Sequence, residues 1–249
     1  MVLERVIAVR NSKTVYRDGA NCIKVFDEGY SKADVLNEAL NQAKVEKIGI
    51  CIPEIKEVCK IDGKWAIVSE YIKGNTIERL MELEPEKKDE YLEQFVSLHM
   101  DILSKTCPNL NRLKDKMNAQ ITLADIDATA RYDLHARVDG MPRGANVCHG
   151  DFIPSNVIVA EDGRPFVIDW AHVTQGNPLA DVARTYLLFW LGGNINGASQ
   201  YLDLYCMKSG VSKQDVQNWM PVVAAAQSTK GNEKEREFLL SWVNVFEYN

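Results

Sequence analysis

The sequence contains no Cys-x-x-Cys pair. Its six cysteines (Cys22, Cys51, Cys59, Cys107, Cys148 and Cys206) are dispersed, and only four histidines accompany them. That pattern excludes a zinc ribbon or a dithiol redox site. It reads as free thiols buried among apolar residues in a reducing compartment. No apolar run reaches the length of a membrane span. The N-terminal MVLERVIAVRNSK has no long apolar stretch of the secretory kind. A cytoplasmic chain with no membrane partner is therefore expected. Positive charge is also short: 29 Lys and Arg stand against 35 Asp and Glu, a net charge of −6. Holding nucleic acid needs clustered basic residues, so no nucleic-acid partner is expected. The acidity serves solubility, though it also suits a cationic substrate. There is no internal repeat, low-complexity tract or long linker. At 249 residues, with 46% hydrophobic and 26% charged, the chain is an ordinary globular one, sized for one large domain or two small lobes.

What is present divides the chain in two. The first 70 residues read as strands: 5–10, 14–17 and 22–26, then a hairpin of 54–61 and 64–71 closed by Asp62-Gly63. In Cys22-Ile23-Lys24-Val25-Phe26, alternation sets Ile23 and Val25 on one face and Cys22, Lys24 and Phe26 on the other. Residues 32–45 lack Gly and Pro and are rich in Ala, Leu and Glu, so they predict a helix. After Gly74 the pattern turns helical, with helices at 77–83, 91–104 and 124–138. A strand-rich island follows at 146–149, 157–160 and 166–169, and then helices at 179–191, 199–208, 213–226 and 233–246.

The chemistry sits in that island. His149-Gly150-Asp151-Phe152-Ile153-Pro154-Ser155-Asn156 is followed by Ile168-Asp169-Trp170. Phosphoryl transfer needs metal ions, ligands for them and a group that orients the attacking hydroxyl. Magnesium takes oxygen ligands, typically one or two carboxylates with phosphates and water. Asp151, Asn156 and Asp169 supply such oxygens.

These residues resemble the aminoglycoside phosphotransferase family, whose signature is H-G-D-x-x-x-x-N followed by a strand ending in Asp. The resemblance implies an α+β, bilobal, protein-kinase-like fold: an N-terminal antiparallel sheet with one helix, then a mainly helical C-terminal lobe. It implies a nucleotide-binding lobe at 1–72, and at 73–249 a helical lobe with the catalytic loop and acceptor site. ATP and Mg²⁺ are the implied cofactors, and a small molecule bearing a hydroxyl is the implied partner. Asp151 would be the catalytic base or the group that orients the hydroxyl, with Asn156 and Asp169 on the metal. Lys24 looks like the lysine that binds the phosphates, and Glu38 like its partner on the following helix, although Glu28 and Glu46 flank the same helix. Glu70, Tyr71 and Ile72 lie in the segment similar to the family's adenine-binding hinge. Ile158 and Ile168 would floor the adenine, or simply be core, and Cys22 would lie above it. His149 is a brace on this reading. Asp181, in Gly176-Asn177-Pro178-Leu179-Ala180-Asp181, either braces the catalytic loop or complements a helix dipole.

Three departures bear on the acceptor and the nucleotide. Arg10-Asn11-Ser12-Lys13 has no glycine, so Ser12 and neighbouring N–H groups would cover the phosphates. Only six residues separate Asp169 from Gly176, too few for a protein-kinase activation segment. The catalytic loop also lacks the lysine common in protein Ser/Thr kinases. A small-molecule kinase is the expectation, with a protein Ser/Thr kinase or a non-catalytic nucleotide-binding module as alternatives. Asp125, Asp127, Asp133 and Asp139 would meet a cationic acceptor or form a solvated helix face.

Overall fold

Alternating apolar residues with Asp-Gly turns build an antiparallel sheet, and the computed structural model shows it. The structure describes residues 5–10, 12–230 and 233–244. Strands β1 (Arg5–Arg10), β2 (Lys13–Asp18), β3 (Asn21–Phe26), β4 (Ile55–Ile61) and β5 (Lys64–Glu70) pair in the order β1-β2-β3-β5-β4, each antiparallel to its neighbour. The alternation in β3 sorts as its sequence predicts. Ile23 and Val25 pack with Ala66 and Val68. Phe26 packs with Ile67 and with Val35 and Ala39 of helix α1 (Lys32–Val45). Ser31 caps α1, its hydroxyl accepting from the Asp34 N–H at 3.1 Å.

Contacts group the chain into two compact units: Met1–Tyr91 with Pro154–His172, and Leu92–Ile153 with Val173–Asn249. The first unit thus takes in β6 (Gly74–Thr76), α2 (Ile77–Leu83), β8 (Val157–Ala160) and β9 (Pro165–Val167). There β6 pairs with β8 and β8 with β9. This grouping follows contacts, whereas a division at 72 and 73 follows chain order.

The second unit is helical: most of α3 (Lys88–Ser104), then α4 (Leu113–Leu123), α5 (Ala128–Gly140), α6 (Pro178–Leu191), α7 (Ile195–Ser209), α8 (Lys213–Gln217), α9 (Met220–Ser228) and α10 (Glu233–Asn244). A short pair of strands, β7 (Asn146–Cys148) and β10 (Thr174–Gly176), lies within it. Its centre is aromatic. Phe152 stacks on Phe95 at 4.4 Å between ring centroids and on His99 at 4.3 Å. Tyr201 stacks on Phe189 at 5.6 Å.

The structure corrects several element boundaries. Helix α4 was not expected, although Leu113, Met117 and Ile121 recur every four residues, and the last two are buried. The expected helix 213–226 is two, because Pro221 supplies no N–H and forces a new start at α9. Helix α5 begins at Ala128 rather than 124, since Asp127 caps it by accepting from the Thr129 and Ala130 N–H groups at 2.8 and 2.9 Å. Of the cysteines, only Cys107 and Cys148 are buried. None of the six is joined in a disulfide. The expected last helix runs to Phe246; Val245 and Phe246 lie outside the described residues, as do Met1–Glu4 and Asn11 of the first loop. Among the described residues, no helix is long and apolar enough to cross a membrane.

Candidate active site

Each unit holds its own group of the expected site residues. In the first unit, register decides which side chains meet. Lys24 on β3 pairs with Val15 on β2 and Ile67 on β5, and Ile67 packs against α1. Lys24 therefore faces α1, where Glu38 is 5% exposed. The Lys24 Nζ donates to Glu38 Oε1 at 2.5 Å and to Asp169 Oδ1 at 3.3 Å. Of Glu28, Glu38 and Glu46, Glu38 within the helix is the partner; Glu46 instead accepts from the Ile55 N–H at 2.8 Å. Burial works against the Lys24 charge. The carboxylates of Asp169 and Glu38 outweigh it and hold the ammonium well above its ordinary pKa.

Asp169 follows β9 in the left-handed region, at φ 64°, a conformation Asp tolerates better than most residues. The turn is fixed on both sides. The Ile168 N–H donates to the Asn156 carbonyl at 3.0 Å, and the buried Trp170 indole donates to the Val167 carbonyl at 3.0 Å.

A cavity of about 360 Å³ opens beside this cluster, within the range of small-ligand pockets. Its wall includes Lys24, Glu38, Asn156 and Asp169, together with Cys22, Glu70, Tyr71, Ile72, Ile158 and Ile168. Ser12 is not part of that wall. It sits in the turn before β2, its carbonyl accepting from the Asp27 N–H at 3.0 Å. Its neighbour Lys13 lines the cavity instead. Burial pushes the Cys22 thiol up, with Lys24 partly opposing, so the group facing the cavity is neutral.

In the second unit, Asp151 follows a tight turn at Gly150, whose φ is 79°. Asp181 near the start of α6 holds this turn, accepting from the His149 N–H at 2.7 Å and the Gly150 N–H at 2.8 Å. His99 Nε2 lies 3.2 Å from the same carboxylate, and its Nδ1 lies 2.7 Å from the Tyr201 hydroxyl. Burial alone would raise the Asp181 pKa. His99, His149 and the Gly150 N–H prevail and hold it below the usual carboxylate range. Of its two expected readings, the contacts are those of a brace.

Arg184, one helical turn on, donates to the Gly150 carbonyl and to Gln227 Oε1 at 2.9 Å, and its Nη2 lies 3.6 Å from Asp151 Oδ1. Lys116 on α4 shares this neighbourhood. Burial and the Arg184 charge bring its pKa down to about 8, against the pull of Asp181 and Asp151. Sequence reading missed Arg184, Lys116 and His99. Arg184 had a usable signal, standing three residues after Asp181 on one helix face; Lys116 had none, because α4 was not foreseen.

Gly150 needs its left-handed backbone, which a Cβ disfavours. Gly150→Ala is expected to destabilise the protein by about 1–2 kcal/mol, measured by denaturant unfolding. An unchanged midpoint would show that the turn relaxes freely.

Comparison with known proteins gives these residues a context. The family model described as the phosphotransferase enzyme family matches residues 7–212, most of the chain. The chain belongs to that family. It is a phosphotransferase. No curated protein matches the phosphotransferase in sequence. Among solved structures it is similar to aminoglycoside phosphotransferase APH(4)-Ia, with 16% identity and TM-score 0.69 over 96% of this chain and 90% of that one. It is similar to choline kinase LicA from Streptococcus pneumoniae, with 14% identity and TM-score 0.65 over 98% and 93%. It is also similar to aminoglycoside-3'-phosphotransferase of type VIII, with 17% identity and TM-score 0.64 over 91% and 92%. At these identities the likeness is one of fold. The phosphotransferase shares their α+β kinase-like architecture of an antiparallel N-terminal sheet and a helical part.

Proposed function

We propose that this phosphotransferase moves the γ-phosphoryl group of ATP, with Mg²⁺, to a hydroxyl of a small molecule such as an aminoglycoside, amino alcohol or sugar. The observation that carries the reading is the Lys24, Glu38 and Asp169 cluster, with Asn156 in the wall of the same cavity. A thermostable mutant of APH(4)-Ia has been crystallised in a ternary complex with AMP-PNP and hygromycin B, which supports a nucleotide and a small hydroxylated acceptor here.

The donor set suits magnesium. Asn156 and Asp169 offer hard oxygens, and among the described residues no group of three His, Cys, Asp or Glu side chains forms a metal site without a ligand. A site with one carboxylate and one amide is completed by phosphate oxygens and water, which is how Mg²⁺ is usually held. On this reading Asn156 and Asp169 hold the metal, which neutralises charge on the phosphates.

The chain's own residues do the rest. Lys24, kept in register by Glu38, holds the phosphates. The Glu70 and Tyr71 N–H groups already donate to the Glu54 and Ala20 carbonyls, at 2.9 and 3.0 Å. The base is therefore read by other backbone groups of the hinge, the Glu70 carbonyl and the Ile72 N–H. Ile158 and Ile168 supply its apolar floor, and Cys22 covers it as a neutral thiol. Asp151 accepts a hydrogen bond from the acceptor hydroxyl and takes its proton as the oxygen attacks. Residues 1–72 are then the nucleotide-binding lobe, and 73–249 carry the catalytic loop and the acceptor site and lend Asn156, Ile158, Ile168 and Asp169 to the nucleotide. Catalysis on this scheme comes from positioning and charge neutralisation.

The test is transfer of label from γ-labelled ATP to pools of aminoglycosides, amino alcohols, sugars and vitamins, beside a pool of unfolded proteins. Label in a metabolite pool, dependent on Mg²⁺, is the expected result. Label in protein alone would replace this reading with a protein kinase. ATP binding with no transfer to any pool would point to a binding module.

A further inference from the structure

Lys13 lines the cavity beside Lys24, and neither the motif nor the comparisons assign it a role. It opens β2, opposite Phe26 in register, two residues before Val15, which pairs with Lys24. Cross-strand partners share a face of a sheet, so Lys13 and Lys24 lie on the same face, the one that packs on α1. A lysine at the start of a strand ordinarily extends into water; this side chain is 17% exposed. Its Nζ lies 3.5 Å from Asp169 Oδ1 and 3.7 Å from Glu38 Oε1, the same two oxygens that Lys24 contacts.

The two amines are held unequally. Lys24 makes a short bond to Glu38 at 2.5 Å, while both contacts of Lys13 exceed ordinary hydrogen-bond length. Two carboxylates and two ammonium groups leave the cluster near neutral. An entering polyphosphate brings several negative charges, and the loosely held amine is the one free to turn towards them. We propose that Lys13 is a second polyphosphate-positioning lysine, acting with Lys24 on the phosphates of a nucleoside di- or triphosphate. The inference rests on the nucleotide reading above and adds a residue to it.

The test is binding, read by calorimetry with adenosine, ADP and ATP at fixed Mg²⁺, on the wild-type chain and on Lys13→Met, Lys13→Gln, Lys13→Arg and Lys24→Met. Losing one charge-assisted contact predicts weaker ADP and ATP binding by about tenfold to a hundredfold in Lys13→Met and Lys13→Gln. Adenosine affinity should be unchanged, and Lys13→Arg should restore most of the loss. The wild-type dependence of ATP affinity on salt should also flatten in the Met variant. ATP affinity unchanged in Lys13→Met beside a clear loss in Lys24→Met would overturn the role of Lys13 and leave the nucleotide site standing. Equal loss of adenosine and ATP would show a merely structural lysine. A wild-type chain that binds neither would remove the nucleotide reading itself.

Discussion

Asp151→Asn is expected to lower kcat by about 10²–10⁴, the usual contribution of a positioned general base, with nucleotide affinity unchanged. The substitution keeps the side chain's size but removes its capacity to take a proton. Its effect should therefore fall on turnover. The acceptor KM should move less, because an amide oxygen still accepts a hydrogen bond. Arg184 Nη2, 3.6 Å from the carboxylate, keeps its bonds to Gly150 and Gln227, so the fold should lose little. Steady-state kinetics on an acceptor from the transfer screen, together with calorimetry of ADP, separate these effects. Full turnover in the variant would refute a role for Asp151 in orienting or deprotonating the hydroxyl.

Much of the geometry around Lys24 was legible because local patterns specify it. Strand alternation fixed the side of the sheet on which Lys24 lies, and the Gly-free, Pro-free stretch 32–45 matched α1 at both ends. The spacing of Asp151, Asn156 and Asp169 marked a loop, a short hairpin and a strand end. What sequence reading missed lies where several distant segments meet. Lys13 lies in the flank of a loop lacking the glycine that would have drawn attention to its phosphate role. Its place became visible only once β2 and β3 were in register. Lys116 and His99 reach the Asp151 neighbourhood from helices far away in the chain, and no local period reports such a meeting. The acidic residues around α5 show the converse. Asp127 is a helix cap, and Asp125 pairs with Arg236. The charge of these two residues has local structural uses.

Asp181→Ala should have the largest effect on stability. The carboxylate is 3% exposed and accepts from two backbone N–H groups and from His99. Removing it leaves three buried donors without an acceptor. Deleting one partner of a buried charged cluster costs about 3–5 kcal/mol, and for a chain of this size each kcal/mol shifts Tm by roughly 2–4 °C. The sign of the pH dependence follows from its lowered pKa. A carboxyl held below its unfolded value contributes stability that is complete above that unfolded value, about 4. The contribution is lost as pH falls through the folded value. The wild-type chain should therefore weaken along an acid limb that is shallower in Asp181→Asn, as unfolding midpoints measured from neutral to acid pH would show. Because the same carboxylate fixes the turn that carries Asp151, activity should fall even at temperatures where the variant is fully folded. A variant with reduced Tm but wild-type kcat would mean that the His149-Gly150 turn holds its shape without Asp181, and that the carboxylate serves the fold alone.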